Sequence, residues 1–250
     1  MSIFANLAPV EGVEKDTDSI GGRGPWTSGV YPTTLAMAYV EISKGGATGI
    51  VLHLKNETGQ ELRQTLWVAS GNAKGNKHYY ETQSGERKNL PGFSLFRALT
   101  KMVLNKEPHE ISTEEKVIKK WSKEAGAEVP TQVQVIVDLL DQPIVAGVIK
   151  QIVDKNVQNQ AGDYVPSGET REENEVDKFF HAGTNMTMTE AEGGLTEGVF
   201  IESWKARWED EVRDRSTGGA TQAQGSNVTA AAFGTATAGA VTAPPSLFAS

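Results

Sequence analysis

Between Gly29 and Ala69 apolar and polar positions alternate with the two-residue period of β-strands. The run VYPTTLAMAYVEIS (30–43) is rich in β-branched and aromatic residues, and Lys44, Gly45 and Gly46 then turn the chain. Pro32 suits a strand start or an edge. In GIVLHLK (49–55), Ile50, Leu52 and Leu54 share one face, while Val51, His53 and Lys55 share the other. Asn56 to Gly59 reads as a hairpin loop of about four residues. In ELRQTLWVA (61–69), Leu62, Leu66 and Val68 point one way, with Gln64 as an exception, and Arg63, Thr65 and Trp67 point the other. The first face is expected to be core. The second is expected to be wet, yet it carries a tryptophan among cations.

Ser70 to Lys77 is a Gly/Asn/Lys loop, and His78 to Glu81 starts a return strand, so 70–88 resembles a finger. Alternation sends one of Tyr79 and Tyr80 inward, and Tyr79 is taken as the outward one. LPGFSLFRALTKMVL (90–104) predicts a helix, with Phe93, Phe96, Leu99 and Val103 at helical spacing and Ser94 as N-cap. Residues 105–130 are polar and charged and predict a long loop or extension. PIVAGVIKQIVDK (143–155) predicts a central strand beginning at Pro143, and ETREENEVDKFFH (169–181) predicts the last strand. Thr189 and Glu192 have capping-box spacing. In GVFIESWKARWEDEVRD (198–214), Phe200, Ile201, Trp204 and Trp208 form one helical stripe.

Three regions follow. Residues 1–28, with breakers at Gly21, Gly22, Gly24 and Pro25, form an N-terminal arm. Residues 29–215 form one domain. Residues 216–250 carry no charge and are dominated by Gly, Ala and Thr, which predicts a disordered low-complexity tail. Its only apolar anchors near the end are Leu247 and Phe248.

The 250 residues include no cysteine, which excludes disulfides and thiolate zinc sites. The four histidines, His53, His78, His109 and His181, have no metal-ligand spacing, and no P-loop, HExxH or GxSxG occurs. No cofactor or metal is expected. The opening MSIFANLAPVEGVEKD lacks a basic segment followed by an apolar run, so no signal peptide is expected. No run approaches the roughly 18 apolar residues of a membrane helix. A cytoplasmic location is expected. Net charge is −8, but Lys44 to Lys123 holds 14 basic and 8 acidic residues, a local balance of +6. Screening confines each charge to about 10 Å, so a basic region can still hold phosphate.

Single-strand binders combine a cationic groove with aromatic stacking platforms. Trp67 beside Arg63 and Lys55 has both parts, and the finger adds Lys74, Lys77, Tyr79, Tyr80, Arg87 and Lys88. In this reading the cations serve phosphates, and Trp67 and Tyr79 stack on bases. The competing reading covers Trp67 with another segment. Trp26 and Trp121 fit either a plug or a second platform. Three meandering strands, a helix and two further strands are the ingredients of the five-stranded oligonucleotide-binding (OB) barrel. The predicted class is therefore mainly β, an OB barrel with helical additions.

The segments MSIFANL, LPGFSLFRALT, SGETREENEVDKFF and the closing SLF resemble the single-stranded DNA-binding proteins of tailed bacteriophages. That resemblance implies a non-enzymatic, sequence-independent binder that coats single strands in phage DNA replication, recombination and repair, in the host cytoplasm. It also implies a tail that docks replication proteins, here through Leu247 and Phe248. Many such proteins end in an acidic tail, and this one does not. Other readings stay open: an RNA-binding OB protein, a phage structural or scaffold protein, and a nuclease using the 172–177 carboxylates.

Overall fold

The computed structural model describes residues 24–122, 124–158 and 164–217. In chain order its elements are β1 (Gly29–Ile42), β2 (Thr48–Asn56), β3 (Glu61–Ala69), β4 (Tyr79–Glu81), β5 (Arg87–Asn89), α1 (Pro91–Leu104), β6 (Glu114–Ser122), β7 (Ala127–Val135), β8 (Pro143–Gln158), β9 (Tyr164–Phe180), α2 (Met188–Glu192), α3 (Phe200–Trp208) and β10 (Val212–Asp214). The fold is mainly β. Eight strands form one sheet in the order β10-β8-β1-β2-β3, with β9 on β8, β7 on β1 and β6 on β7. Pairing is antiparallel except between β10 and β8. The pair β4–β5 is a separate ribbon.

Strand β1 joins the two halves of the sheet. Gly29 to Thr34 pair with β8, and Thr33 to Ile42 pair with β2, with a register shift between Leu35 and Met37. Such a shift bends a strand and raises its twist. The bend brings β3 and β9, which share no ladder among the described residues, close together. Gln64 bridges them: its Oε1 accepts the N–H of Val176 at 3.1 Å. This explains the one polar residue on the inward face of β3. The sheet is open at this seam, so the closed five-stranded barrel expected from the strand count is not what the ladders form.

The main core lies inside the bend. Leu35, Leu52, Leu54 and Leu66 meet Phe96 and Leu99 of α1 and Val148, Val176 and Phe179 of β8 and β9. Each such side chain contributes about 1.5–3 kcal/mol on burial. A second cluster sets Ile201 and Trp204 of α3 on Val145, Ile149 and Phe180. Here the absence of a side chain at Gly147 lets the Trp204 ring approach, and its indole N–H donates to Asp177 Oδ2 at 2.8 Å. Trp26 is buried, with its N–H donated to Asn174 at 2.7 Å. It is a plug, and the chain from there onward is packed rather than part of a loose arm.

Several expectations are corrected. Residues 114–135 form the β6–β7 hairpin instead of a loop. Charges occupy both faces of β6 and hide its period, and Ile118 packs inward with Val133 and Val135. That hairpin covers Tyr39 and Val51, so Val51 belongs to a third small core and not to a wet face. Helix α1 starts at Pro91 with Leu90 as N-cap, so Ser94 lies inside it. Proline suits the first helical position because its missing N–H would be unpaired there. The capping box is Thr187 with Glu190, two residues earlier than expected. Glu190 also accepts the N–H groups of Val199 and Phe200. Burial disfavours its charge, but these donors outweigh that and hold its pKa low. Strand β9 begins at Tyr164 and is followed by β10. Of the expected tail, Ser216 and Thr217 are held by Asp214 and Asp154, and Leu247 and Phe248 lie outside the described residues.

Replacing Gln64 with Leu leaves the Val176 N–H unpaired at the seam. Thermal unfolding should show a loss of about 1–3 kcal/mol, and amide exchange at Val176 should accelerate. Equal stability and exchange would mean that the bridge does not hold the seam.

The end of α1 is tied to the segment that follows it by Glu107, which takes Arg97 Nε at 2.9 Å and Lys101 Nζ at 3.2 Å. The Arg97 hydrogen bonds hold the Glu107 carboxyl at about 2, against 4.5 for the free group. A depressed carboxyl stabilises the fold above its unfolded value and loses that effect as pH falls through its folded value. The stability gap between the wild type and Glu107→Gln should therefore be complete above about 4.5 and close toward about 2. Urea unfolding across that range measures it.

Candidate nucleic-acid interface

The outer face of β2 and β3 begins as the alternation dictates. Gly49, Val51, His53 and Lys55 lie opposite Trp67, Thr65, Arg63 and Glu61. The hairpin β6–β7 takes the Val51 end of the β1–β2 ladder, so only part of this face is open. Trp67 is 44% exposed. Its ring lies across Gly49, where an added Cβ would come within 3.0 Å of the indole. The missing side chain thus lets the ring rest against the neighbouring strand.

On its other side the backbone of Trp67 is pressed by helix α1. A Cβ on Gly92 would meet the Trp67 carbonyl oxygen at 2.5 Å and its nitrogen at 2.7 Å. The helix start is therefore seated directly on the edge of β3. Between this helix start and the finger runs a groove of about 780 Å³. Trp67, Lys74, Lys77, Tyr79 and Tyr80 line it, with Leu66, Leu90, Pro91 and Leu95 as its apolar wall and Glu81 and Glu175 as its carboxylates. The site has moved from the broad face of β2 and β3 to the edge of β3.

The finger is anchored at several points. Ser70 and Lys77 bond each other through Ser70 N–H to Lys77 O at 2.8 Å and Lys77 N–H to Ser70 Oγ at 2.9 Å. Asn72 N–H reaches the Gly45 carbonyl in the β1–β2 turn at 2.9 Å, and Leu90 N–H returns to His78 O at 2.8 Å. The His78 ring lies 4.6 Å from that of Phe93. Gly75 and Gly46 have positive φ, at 77° and 78°, which the tight turns here require.

The two tyrosines divide their work differently from expectation. Lys77 Nζ lies 5.5 Å and the Arg87 guanidinium 5.1 Å from the Tyr79 ring centre. Those cations engage Tyr79, and it is half-buried, whereas Tyr80 is 47% exposed. Tyr80, not Tyr79, is the outward ring.

The cations also sort into two groups. Arg63 pairs with Glu41 at 3.6 Å, Arg87 with Glu81 at 3.2 Å and Lys88 with Glu86 at 3.6 Å. No ion pair engages Lys55, Lys74 or Lys77 among the described residues. Lys74 and Lys77 are in the groove, while Lys55 and Arg63 share the outer face with Trp67 and do not line it. Glu175, on β9, escaped the sequence reading because only tertiary packing brings it to the finger. Its charge is offset by Arg213 and Arg215, both bonded to it. Gly49 and Gly92 carried a usable signal, since a glycine in a strand or a helix start often marks close approach.

The neighbouring carboxylates are likewise engaged. Glu172 pairs with Lys150, Glu173 with Arg171 and Asp177 with Trp204. No three acidic or histidine side chains converge as metal ligands among the described residues. No helix among them is long and apolar enough to cross a membrane. No protein family model matches the chain, and no curated protein matches it.

Replacing Gly49 with Val should lift the Trp67 ring from its seat. The expected outcome is a folded protein with a shifted tryptophan emission and a stability loss of about 1–3 kcal/mol from overpacking. An unchanged spectrum would mean that the ring does not rest on this strand.

Proposed function

We propose that this protein binds single-stranded DNA without sequence preference, through the groove between the finger and the start of α1, and does so without catalysis. The observation that carries this reading is the convergence of two exposed rings, Trp67 and Tyr80, with two unpaired lysines, Lys74 and Lys77, along one groove. Aromatic rings offer stacking to any base, worth about 1–3 kcal/mol each, and lysines neutralise phosphates. The apolar wall at Leu90, Pro91 and Leu95 keeps the bases from water on one side. Glu81 and Glu175 do not repel the strand strongly, because Arg87, Arg213 and Arg215 offset them.

The connectivity supports the same reading. Strands β1, β2 and β3 meander, α1 follows, and β8 returns to β1 with β9 beside it. We read this order as a variant of the OB path, in which Gln64 bridges β3 and β9 where a closed barrel would have a ladder. In that fold the second and third strands and their loops carry the ligand. The resemblance to phage single-stranded DNA-binding proteins agrees, and coating of DNA during replication, recombination and repair is the role it suggests.

Titration with poly(dT) should quench tryptophan fluorescence, and salt should reverse the quench. If Lys74 and Lys77 each neutralise one phosphate, log K should fall against log salt with a slope of about −1.4. Trp67→Ala should cost about 1–3 kcal/mol of affinity. No salt-sensitive quenching at micromolar protein would overturn the proposal. Competition by oligo(rU) equal to that by oligo(dT) would widen the ligand to RNA, since stacking does not distinguish the two.

A further inference from the structure

Strand β6 has one edge left unpaired among the described residues. It pairs with β7 along its whole length, from Glu114 opposite Val135 to Ser122 opposite Ala127, and with no other strand among the described residues. Such an edge presents unpaired N–H and C=O groups to any strand of matching pattern. Two of the usual protections are absent, since EEKVIKKWS contains no proline and its register has no bulge; its lysines and glutamates would repel most strands and leave the edge to one whose charges complement them. Val117 and Trp121 on its outer face are 65% and 67% exposed. The hairpin is held firmly beneath. Ile118 packs with Tyr39, Val51, Val133 and Val135, and Lys120 Nζ bonds Glu41 Oε1 at 2.9 Å.

We infer that β6 pairs antiparallel with β6 of a second copy of this chain, with Val117 on the two-fold axis. The order of charges selects this partner and this register. With Val117 opposite itself, Glu114 faces Lys120 and Glu115 faces Lys119, and the symmetry makes each pair twice. A slip of one residue in one direction sets Glu115 opposite Lys120 but Lys116 against Lys119, so its attraction and repulsion offset. A slip in the other direction keeps Glu114 opposite Lys119 as its only opposed pair. Parallel in-register pairing sets every charge beside its own copy. Opposite charges directly across a ladder stabilise it, and like charges destabilise it. Lys119 has no ion pair among the described residues, so it is open to Glu115 of the second copy. The two hairpins would merge into one sheet, β7-β6-β6-β7, with two-fold symmetry. The contact does not use the groove residues and does not depend on any ligand.

Sedimentation equilibrium of the full chain without nucleic acid tests this. The wild type should show a concentration-dependent monomer–dimer equilibrium in the micromolar range. Glu115→Lys and Lys119→Glu should each weaken it by about tenfold or more, because each sets like charges opposite twice. The double variant E115K/K119E restores opposite charges and should recover the dimer. Both positions are exposed, so thermal melting should show all variants folded. A wild type that stays monomeric, single variants that dimerise like it, or a double variant that does not recover would each overturn the inference. Oligonucleotide affinity at the groove is read separately, so failure of one proposal leaves the other standing.

Discussion

The seating of α1 on the backbone of β3 is the contact on which the rest of this structure depends. It requires Gly92, since any side chain there would collide with the Trp67 main chain. Once seated, the helix sends Phe96 and Leu99 into the main core and closes one side of the bent sheet. Its first turn becomes one wall of the groove, through Leu90, Pro91 and Leu95. Its last turns, through Arg97 and Lys101 on Glu107, fix where the chain leaves for the β6–β7 hairpin. Stability and site geometry therefore share one close approach, and a change at that point is felt by both.

A protein of net charge −8 can expose lysines along this groove because the carboxylates nearest to it are paired. The acidic segment of β9 is paired with Lys150, Arg171, Arg213 and Arg215. On the finger, Arg87 and Lys88 serve the same purpose for Glu81 and Glu86. Of the cations on the finger and the outer face of β2 and β3, Lys74 and Lys77 in the groove and Lys55 on the outer face are left without an ion pair among the described residues. Surface pairs of this kind are worth little to stability, but they decide which charges a phosphate would meet.

The hairpin β6–β7 shows how one element can shape two surfaces. Its inner side converts the Tyr39–Val51 strip from a solvent face into core, which narrows the exposed part of β2 and β3 to the strip around Trp67. Its outer edge pairs with no other strand among the described residues. Both outcomes come from a strand with charges on either face, where Ile118 is the one apolar side chain among the partly buried positions Ile118, Lys120 and Ser122.

Where apolar alternation was strong, the sequence by itself determined the structure. Strands β1 to β3, the helix after the finger, β8 and α3 follow directly from periodicity, because burial of one face leaves no other register open. Trp67, Lys74, Lys77 and Tyr80 were legible as aromatic and cationic residues close in the chain. The tertiary structure alone decided the rest. Strand β6 was hidden because its charges alternate without an apolar face. Which tyrosine points outward depended on Lys77 and Arg87 flanking Tyr79. The groove itself lies between segments distant in sequence, β3, the finger, α1 and Glu175 of β9, and local patterning carries no information about such a meeting. Gln64 is the clearest case. In the sequence it is an exception to an apolar face, and in the fold it is the bond that joins the two ends of the sheet.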